Sequence, residues 1–362
     1  MGKEESRKSQ EQQLLKALHG PQPNLEVIKN RVWMEKGLLS FTVRRQAWFY
    51  LIGEDPKDIS PCPEYMEPYR DDHQIDVDVQ RSLVHFDVCR SYTPETLEHN
   101  RRILKRIIRA VLIEEPTFHY YQGFHDIVEF LLVYSQFRID WTYTLVKRLM
   151  HSYLRDFMQP NLSEVEKLLK LVFPILQRHS PELVPILKNP EDTPVVLLPW
   201  VLTLFTHSLS SLFAVARLFD VLLLHPLMSL YLSAAVATPP SPQQIVHHFR
   251  DQLLADPDDR SALYRVLGRI DAQRLPIEKL VRDTQFYYRT MPPSNVILEG
   301  RREGVRLAKE SMVSEATARE PARWLKIIKN PGESPLPPAK SLYTLAAVGV
   351  VVAAMIGMLS NQ

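Results

Sequence analysis

Glycine is scarce in this chain of 362 residues. There are eleven, and Gly123 is the only one between Gly53 and Gly268. Folds that cradle phosphates in glycine-rich loops, or that turn tightly between many strands, need more. No G-x-x-x-x-G-K-[ST] loop, G-x-S-x-G elbow, H-E-x-x-H helix or kinase signature occurs. Cysteine is scarcer still. Cys62 and Cys89 are too few for a disulfide framework or a cysteine-built zinc site, and they fit a reducing compartment. Excess charge is also lacking: 44 Lys and Arg against 42 Asp and Glu leave +2, so no basic field points to nucleic acid. The start, "MGKEESRKSQEQQLLK", has no apolar core and is not a secretory signal. Its first six residues fit the loose acylation pattern M-G-x-x-x-[ST] at Gly2. A single acyl chain binds membranes only marginally, and residues 1–25 are read as a flexible segment.

What is abundant is apolar sequence at helical spacing. Hydrophobic residues make up 45% of the chain, enough to build a large core. In "TPETLEHNRRILKRIIRAVLIEEP", Thr93 is placed to cap a helix with Pro94 at its first position. Leu104, Ile107, Ile108, Val111 and Leu112 form one stripe along it. A second helix is predicted from about Tyr121, and others over Leu162 to Phe173, Pro199 to His207, Leu212 to Leu224 and Ile245 to Leu254. "QIDVDVQRS" (Gln74 to Ser82) alternates like a strand, yet as a helix it sets Asp78 and Arg81 three residues apart, where they can pair. The helical surroundings favour the helix. The fold class is therefore all-α, with a helical domain over 26–290 and a charged, Pro-rich linker over 291–341. "LYTLAAVGVVVAAMIGML" (Leu342 to Leu359) has no charged residue and reads as a transmembrane tail anchor.

Three short patterns stand out in "GLLSFTVRRQAWFYLIG", "IDVDVQR" and "YYQG". They are R-x-x-x-W with Arg44 and Trp48, I-x-x-D-x-x-R with Ile75, Asp78 and Arg81, and Y-x-Q-G with Tyr120, Gln122 and Gly123. Singly each has a bland reading as a solvated arginine or a capping glutamine. A different chemistry is offered by His125-Asp126, a metal pair in some helical phosphohydrolases. A metal needs more ligands than two, and nothing in the spacing of His85, His119, His151 or Glu129 selects them. His247-His248 reads as a surface or packing pair.

In this order and spacing the three patterns resemble the TBC-domain family of Rab GTPase-activating proteins. The likeness runs over roughly residues 30 to 250. Within the family it is greatest to a tail-anchored type, through "HYYQG", "LRDFM" at Leu154 to Met158 and "VHH" at Val246 to His248. Phe124-His125 departs from the Met-Asn that often follows the glycine. The resemblance implies a two-lobed helical domain that is not itself an enzyme but completes the active site of a GTP-bound Rab. It implies Arg81 as an arginine finger and Gln122 as the group that holds the attacking water. Asp78, Tyr120, Gly123, Ile75, Arg44 and Trp48 would support them: Asp78 orienting Arg81, Tyr120 steadying the glutamine loop, Gly123 allowing close approach of the partner, Arg44 paired to a carboxylate and Trp48 in the core. No cofactor belongs to the chain, since GTP and Mg²⁺ arrive with the Rab. The tail-anchored type points to the Rab family member 1 class and to endoplasmic reticulum or early Golgi membrane. A Rab-binding helical scaffold without catalysis and a phosphohydrolase built on His125 and Asp126 are the competing readings.

Overall fold

The computed structural model describes residues 2–19, 23–187, 194–238 and 275–319. Every regular element among them is helical. In chain order the helices are α1 (Gly2–His19), α2 (Leu25–Val32), α3 (Phe41–Leu51), α4 (Asp72–Arg81), α5 (Pro94–Glu114), α6 (Phe124–Tyr134), α7 (Ile139–Leu149), α8 (Ser163–Lys170), α9 (Val172–His179), α10 (Val184–Leu187), α11 (Leu198–Leu202), α12 (Leu212–Leu222) and α13 (Met228–Ala237). After the undescribed stretch come α14 (Ile277–Thr290), α15 (Pro293–Arg302) and α16 (Met312–Arg319).

Two helices are buried on all sides and organise the rest. In α6 every residue but Asp126 is buried, and in α13 every residue is, as expected for α13, which has no charged residue on any face. Helices α4, α5, α7 and α12 surround α6, while α9, α11, α12 and α14 surround α13. Helix α5 starts as its sequence directs: Thr93 accepts from the Thr96 amide, Pro94 follows, and the stripe from Leu104 to Leu112 is buried. The aromatic centre of the core is Trp48, whose ring lies 5.5 to 6.3 Å from those of Phe130, Tyr134, Trp141 and Phe219.

A buried carboxylate joins α3 to α12. Asp220 accepts from Arg44 Nε at 2.9 Å and Nη2 at 2.8 Å, from Trp48 Nε1 at 3.0 Å and from the Leu38 amide at 3.1 Å. Arg44 Nη1 donates onward to the Tyr134 hydroxyl of α6. Burial alone would lower the Arg44 pKa, but Asp220 outweighs it and holds the guanidinium charged. Gly37 has φ 51°, and a Cβ there would stand 2.4 Å from Asp220 Oδ2, so only glycine lets the loop pass this close.

The structure corrects several sequence expectations. Residues 2–19 are helical, with Leu14 and Leu18 buried, Arg7 donating to the Leu39 carbonyl and Ser40 to Glu11. The segment read as flexible therefore packs, because its few apolar residues lie four apart on one face. The expected linker instead carries two helices, Pro293–Arg302 and Met312–Arg319. Val296 and Val313 are fully buried, and Asp156 accepts from Ser311 Oγ and the Met312 amide. Its high charge disguised a thin apolar face. The helix expected from Tyr121 begins at Phe124, after the left-handed Gly123, and the one expected over Pro199 to His207 ends at Leu202, two residues before the left-handed Leu204 and Phe205. The stretch Leu162 to Phe173 is two helices meeting at Leu171. Gln74 to Ser82 is helical to Arg81, as its surroundings favoured. Leu342 to Leu359, Ile245 to Leu254 and His247-His248 lie outside the described residues. Among the described residues no helix is long and apolar enough to cross a membrane.

Asp220→Ala leaves the Arg44 guanidinium buried without its counter-charge. Loss of about 3 to 5 kcal/mol of stability is expected, read by urea unfolding monitored through tryptophan fluorescence. Wild-type stability in that variant would show that the clamp is dispensable.

Candidate functional site

Helix α4 carries Ile75, Asp78 and Val79 on its buried face and Arg81 at its last position. Asp78 is fully buried and holds the Arg81 guanidinium, whose side chain is 46% exposed. The root of Arg81 is thus fixed on a covered carboxylate while its surface faces outward. Gln74, one turn earlier, donates to Asp78 Oδ2 at 3.2 Å.

A second stretch reaches the same carboxylate. The Tyr120 hydroxyl donates to Asp78 Oδ2 at 2.8 Å and lies 3.1 Å from His125 Nδ1. Burial first, then the Asp78 charge, push the Tyr120 pKa far above the usual phenol range, so it stays a donor. The Tyr120 amide also donates to Asp71 at 3.4 Å. Asp78 therefore links the helix bearing Arg81 to the turn bearing Gln122. Gln122 is half-buried, and among the described residues its amide has no hydrogen-bond partner.

Gly123 caps α6 with φ 103°, a conformation that strains any other residue. A Cβ there would stand 2.9 Å from Thr203 Cγ2. Gly123 is buried, so the close approach it permits is to Thr203 of this chain, whereas the sequence expectation was approach by a partner. Tyr121 donates to the Leu202 carbonyl at 3.0 Å.

His125 and Asp126 belong to the supporting layer. His125 Nε2 is 3.5 Å from Asp126 Oδ1, and His207 Nδ1 is 3.2 Å from Asp126 Oδ2. The His85 ring stacks on His207 at 5.9 Å and 6°. Burial would raise the Asp126 pKa, but His125, His207 and His85 outweigh it and hold it at about 2. Burial would likewise lower His207, and Asp126 reverses this to a raised value. Glu129, buried one turn further along α6, is pushed up to about 8 by burial and by Asp126. Among the described residues no group of three His, Cys, Asp or Glu side chains is arranged to hold a metal. Of the sequence candidates, Ile75, Asp78, Arg81, Tyr120, Gln122 and Gly123 belong to this site. Arg44 and Trp48 belong to the Asp220 clamp. Gln74, Thr203, His207 and Asp220 escaped the sequence reading. Only Asp220 carried a signal, as the lone acid in "RLFDVLLL".

The model of the Rab-GTPase-TBC domain matches residues 41–238. TBC1 domain family member 20 of Homo sapiens is 31% identical over 302 residues, covering 81% of this chain and 70% of that protein. GTPase-activating protein gyp10 of Schizosaccharomyces pombe is 27% identical over 267 residues, covering 73% and 68%. The crystal structure of the Chlamydomonas flagellar RabGAP TBC domain aligns with 78% of this chain and 92% of its own at 17% identity, with a TM-score of 0.45.

The His207–Asp126 pair makes stability depend on pH in a definite sense. His207 is raised, so its contribution is complete below about pH 6.5 and disappears as pH climbs through its folded value. Asp126 is depressed to about 2, so its contribution is complete above about pH 4 and disappears as pH falls toward 2. The stability difference between wild type and His207→Asn is expected to be largest between about pH 4 and 6.5 and to shrink by pH 8.5. Urea melts across that range read it, and a pH-independent difference would contradict the pairing.

Proposed function

The chain belongs to the TBC-domain family of Rab GTPase-activating proteins, and from that premise we propose that Arg81 and Gln122 act together in the nucleotide site of a partner Rab. A GTPase activator of this kind is not an enzyme on its own account; it completes one. When water attacks the γ-phosphorus of GTP and the bond to the β-phosphate oxygen breaks, negative charge spreads over the transferring group and the leaving oxygen. Arg81 supplies a fixed positive charge with forked donors there, a geometry that lysine lacks. Gln122 accepts from the attacking water and donates to phosphate without titrating. The observation that carries this reading is the shared anchor: Asp78 holds Arg81 and accepts from Tyr120, two residues before Gln122. The exposed Arg81 and the half-buried Gln122 are then held as one unit, and entropy otherwise lost on aligning them is already lost in folding.

In this reading GTP and Mg²⁺ belong to the Rab. The partner is of the Rab family member 1 class, on the support of the likeness to the tail-anchored family type. Leu342 to Leu359 anchors the chain in endoplasmic reticulum or early Golgi membrane. Its 18 residues would make a helix about 27 Å long, matched to the thinner endoplasmic reticulum bilayer. Confinement with a lipidated Rab raises effective concentration, so a weak contact suffices. The step regulated would be early secretory traffic.

A GTPase assay of the full chain in detergent across a Rab panel tests the fingers. Wild type is expected to accelerate at least one early-secretory Rab, Arg81→Ala to lose about 10³-fold or more, and Gln122→Ala about 10²-fold. Full rates in both variants would remove the assignment; tight binding to GTP-loaded Rab without any acceleration by wild type would favour the scaffold. Separately, deleting Leu342 to Gln362 should release the protein from membranes on cell fractionation, and continued membrane association would overturn the anchor.

A further inference from the structure

The segment after α11 is held in a conformation its residues do not favour. Leu204 and Phe205 are consecutive left-handed residues, with φ 48° and 66°, where a bulky side chain is strained. The turn is over-determined. The Phe205 amide reaches back to the Trp200 carbonyl at 3.0 Å and the Leu204 amide to Val201 at 3.4 Å, the bond pattern of a Schellman ending. The Phe205 ring stacks on Trp200 at 5.9 Å. Thr203 Oγ1 donates to the Pro199 carbonyl and Thr206 Oγ1 to the Thr203 carbonyl. Leu204 and Phe205 are buried, so the strained residues are also its anchors in the core.

We infer that this turn, Leu202 to His207, is the seat of the Gln122 turn, with Thr203 and His207 as positioning residues for Gln122. The inference rests on the reading of Gln122 given above. Contacts bracket Gln122 on both sides. Before it, Tyr121 donates to the Leu202 carbonyl. After it, Gly123 lies against Thr203, and Asp126 accepts from His207. Gln122 itself has no anchor among the described residues, so its position is inherited from neighbours that the seat holds. Misplacement of a reacting group by about 1 Å can cost about 10²-fold in rate. His207 faces Asp126, stacks on His85, and feels Glu129 and Arg81 electrostatically. A change at His207 therefore acts within the layer beneath both fingers.

Two readouts on the full chain test this, using His207→Leu, Tyr121→Phe and the rescue variant His207→Asn, whose amide nitrogen can stand where Nδ1 stood. With a responsive Rab, His207→Leu and Tyr121→Phe are expected to lower kcat about 10- to 100-fold. KM, and affinity for Rab loaded with a non-hydrolysable GTP analogue, should stay within about twofold. His207→Asn should recover most of the rate. Independently, hydrogen exchange of the Tyr121 to Phe124 amides should speed up in His207→Leu, while that of Asp72 to Arg81 stays as in wild type. Unchanged exchange, an unchanged kcat, or a loss in kcat matched by KM would overturn the seat and leave the activating function standing. If wild type activated no Rab at all, the function would fall, and the exchange measurement alone would still decide whether the turn is a seat.

Discussion

The carboxylate of Asp220 takes four donors from residues about 180 positions earlier in the chain, and the architecture hangs on that charge. A lone carboxylate at full burial would be protonated or expelled. With Arg44, Trp48 and the Leu38 amide around it, the charge instead fixes α3 against α12. Through Tyr134 it also orients α6. Next to it Arg217 of α12 bonds to Glu278 of α14 and to the Met34 carbonyl. The loop before α3 is thereby pinned from two sides. Breaking one member leaves others charged and dry, which is why such a pair specifies a geometry more strongly than its net energy suggests.

Asp78 does for the site what Asp220 does for the core. It too is fully buried and collects donors from separate stretches, Gln74 and Arg81 on α4 and Tyr120 on the turn before α6. The difference lies in what it holds. Asp220 encloses its arginine; Asp78 holds an arginine that remains 46% exposed. The same chemistry, a buried carboxylate gathering a guanidinium and neutral donors, makes a structural clamp in one place and presents a charge to solvent in the other. Beneath it, His125, Asp126, His207 and His85 form a second polar layer against α6. A buried polar network of this kind rigidifies when its members are satisfied.

Much of this was legible before the structure. Thr93-Pro94 and the stripe of α5 are local signals, and they folded as their residue types dictate. The pairing of Asp78 with Arg81 follows from three-residue spacing on a helix, and the carboxylate for Arg44 was foreseen as a type though not as Asp220. What misled was thin amphipathicity. Helix α1 has only Leu14 and Leu18 as deeply buried apolar anchors, and α15 and α16 have small apolar faces among many charges. Such faces are weak in sequence and become clear only when a surface exists to cover them.

The sequence by itself determined that the chain is helical, where its longest helices run, and which Arg, Gln and Asp carry the patterns of a GTPase activator, because spacing along a helix is a local property. Only the tertiary structure decided which distant groups meet. The left-handed Leu204 and Phe205 lie in a stretch whose apolar pattern reads as continued helix, and nothing near His207 announces Asp126, 81 residues earlier. The scarce glycine shows the division most clearly. Gly123 was conspicuous as the only one in a long stretch, but its reason, a positive φ pressed against Thr203, exists only once two remote turns have packed together.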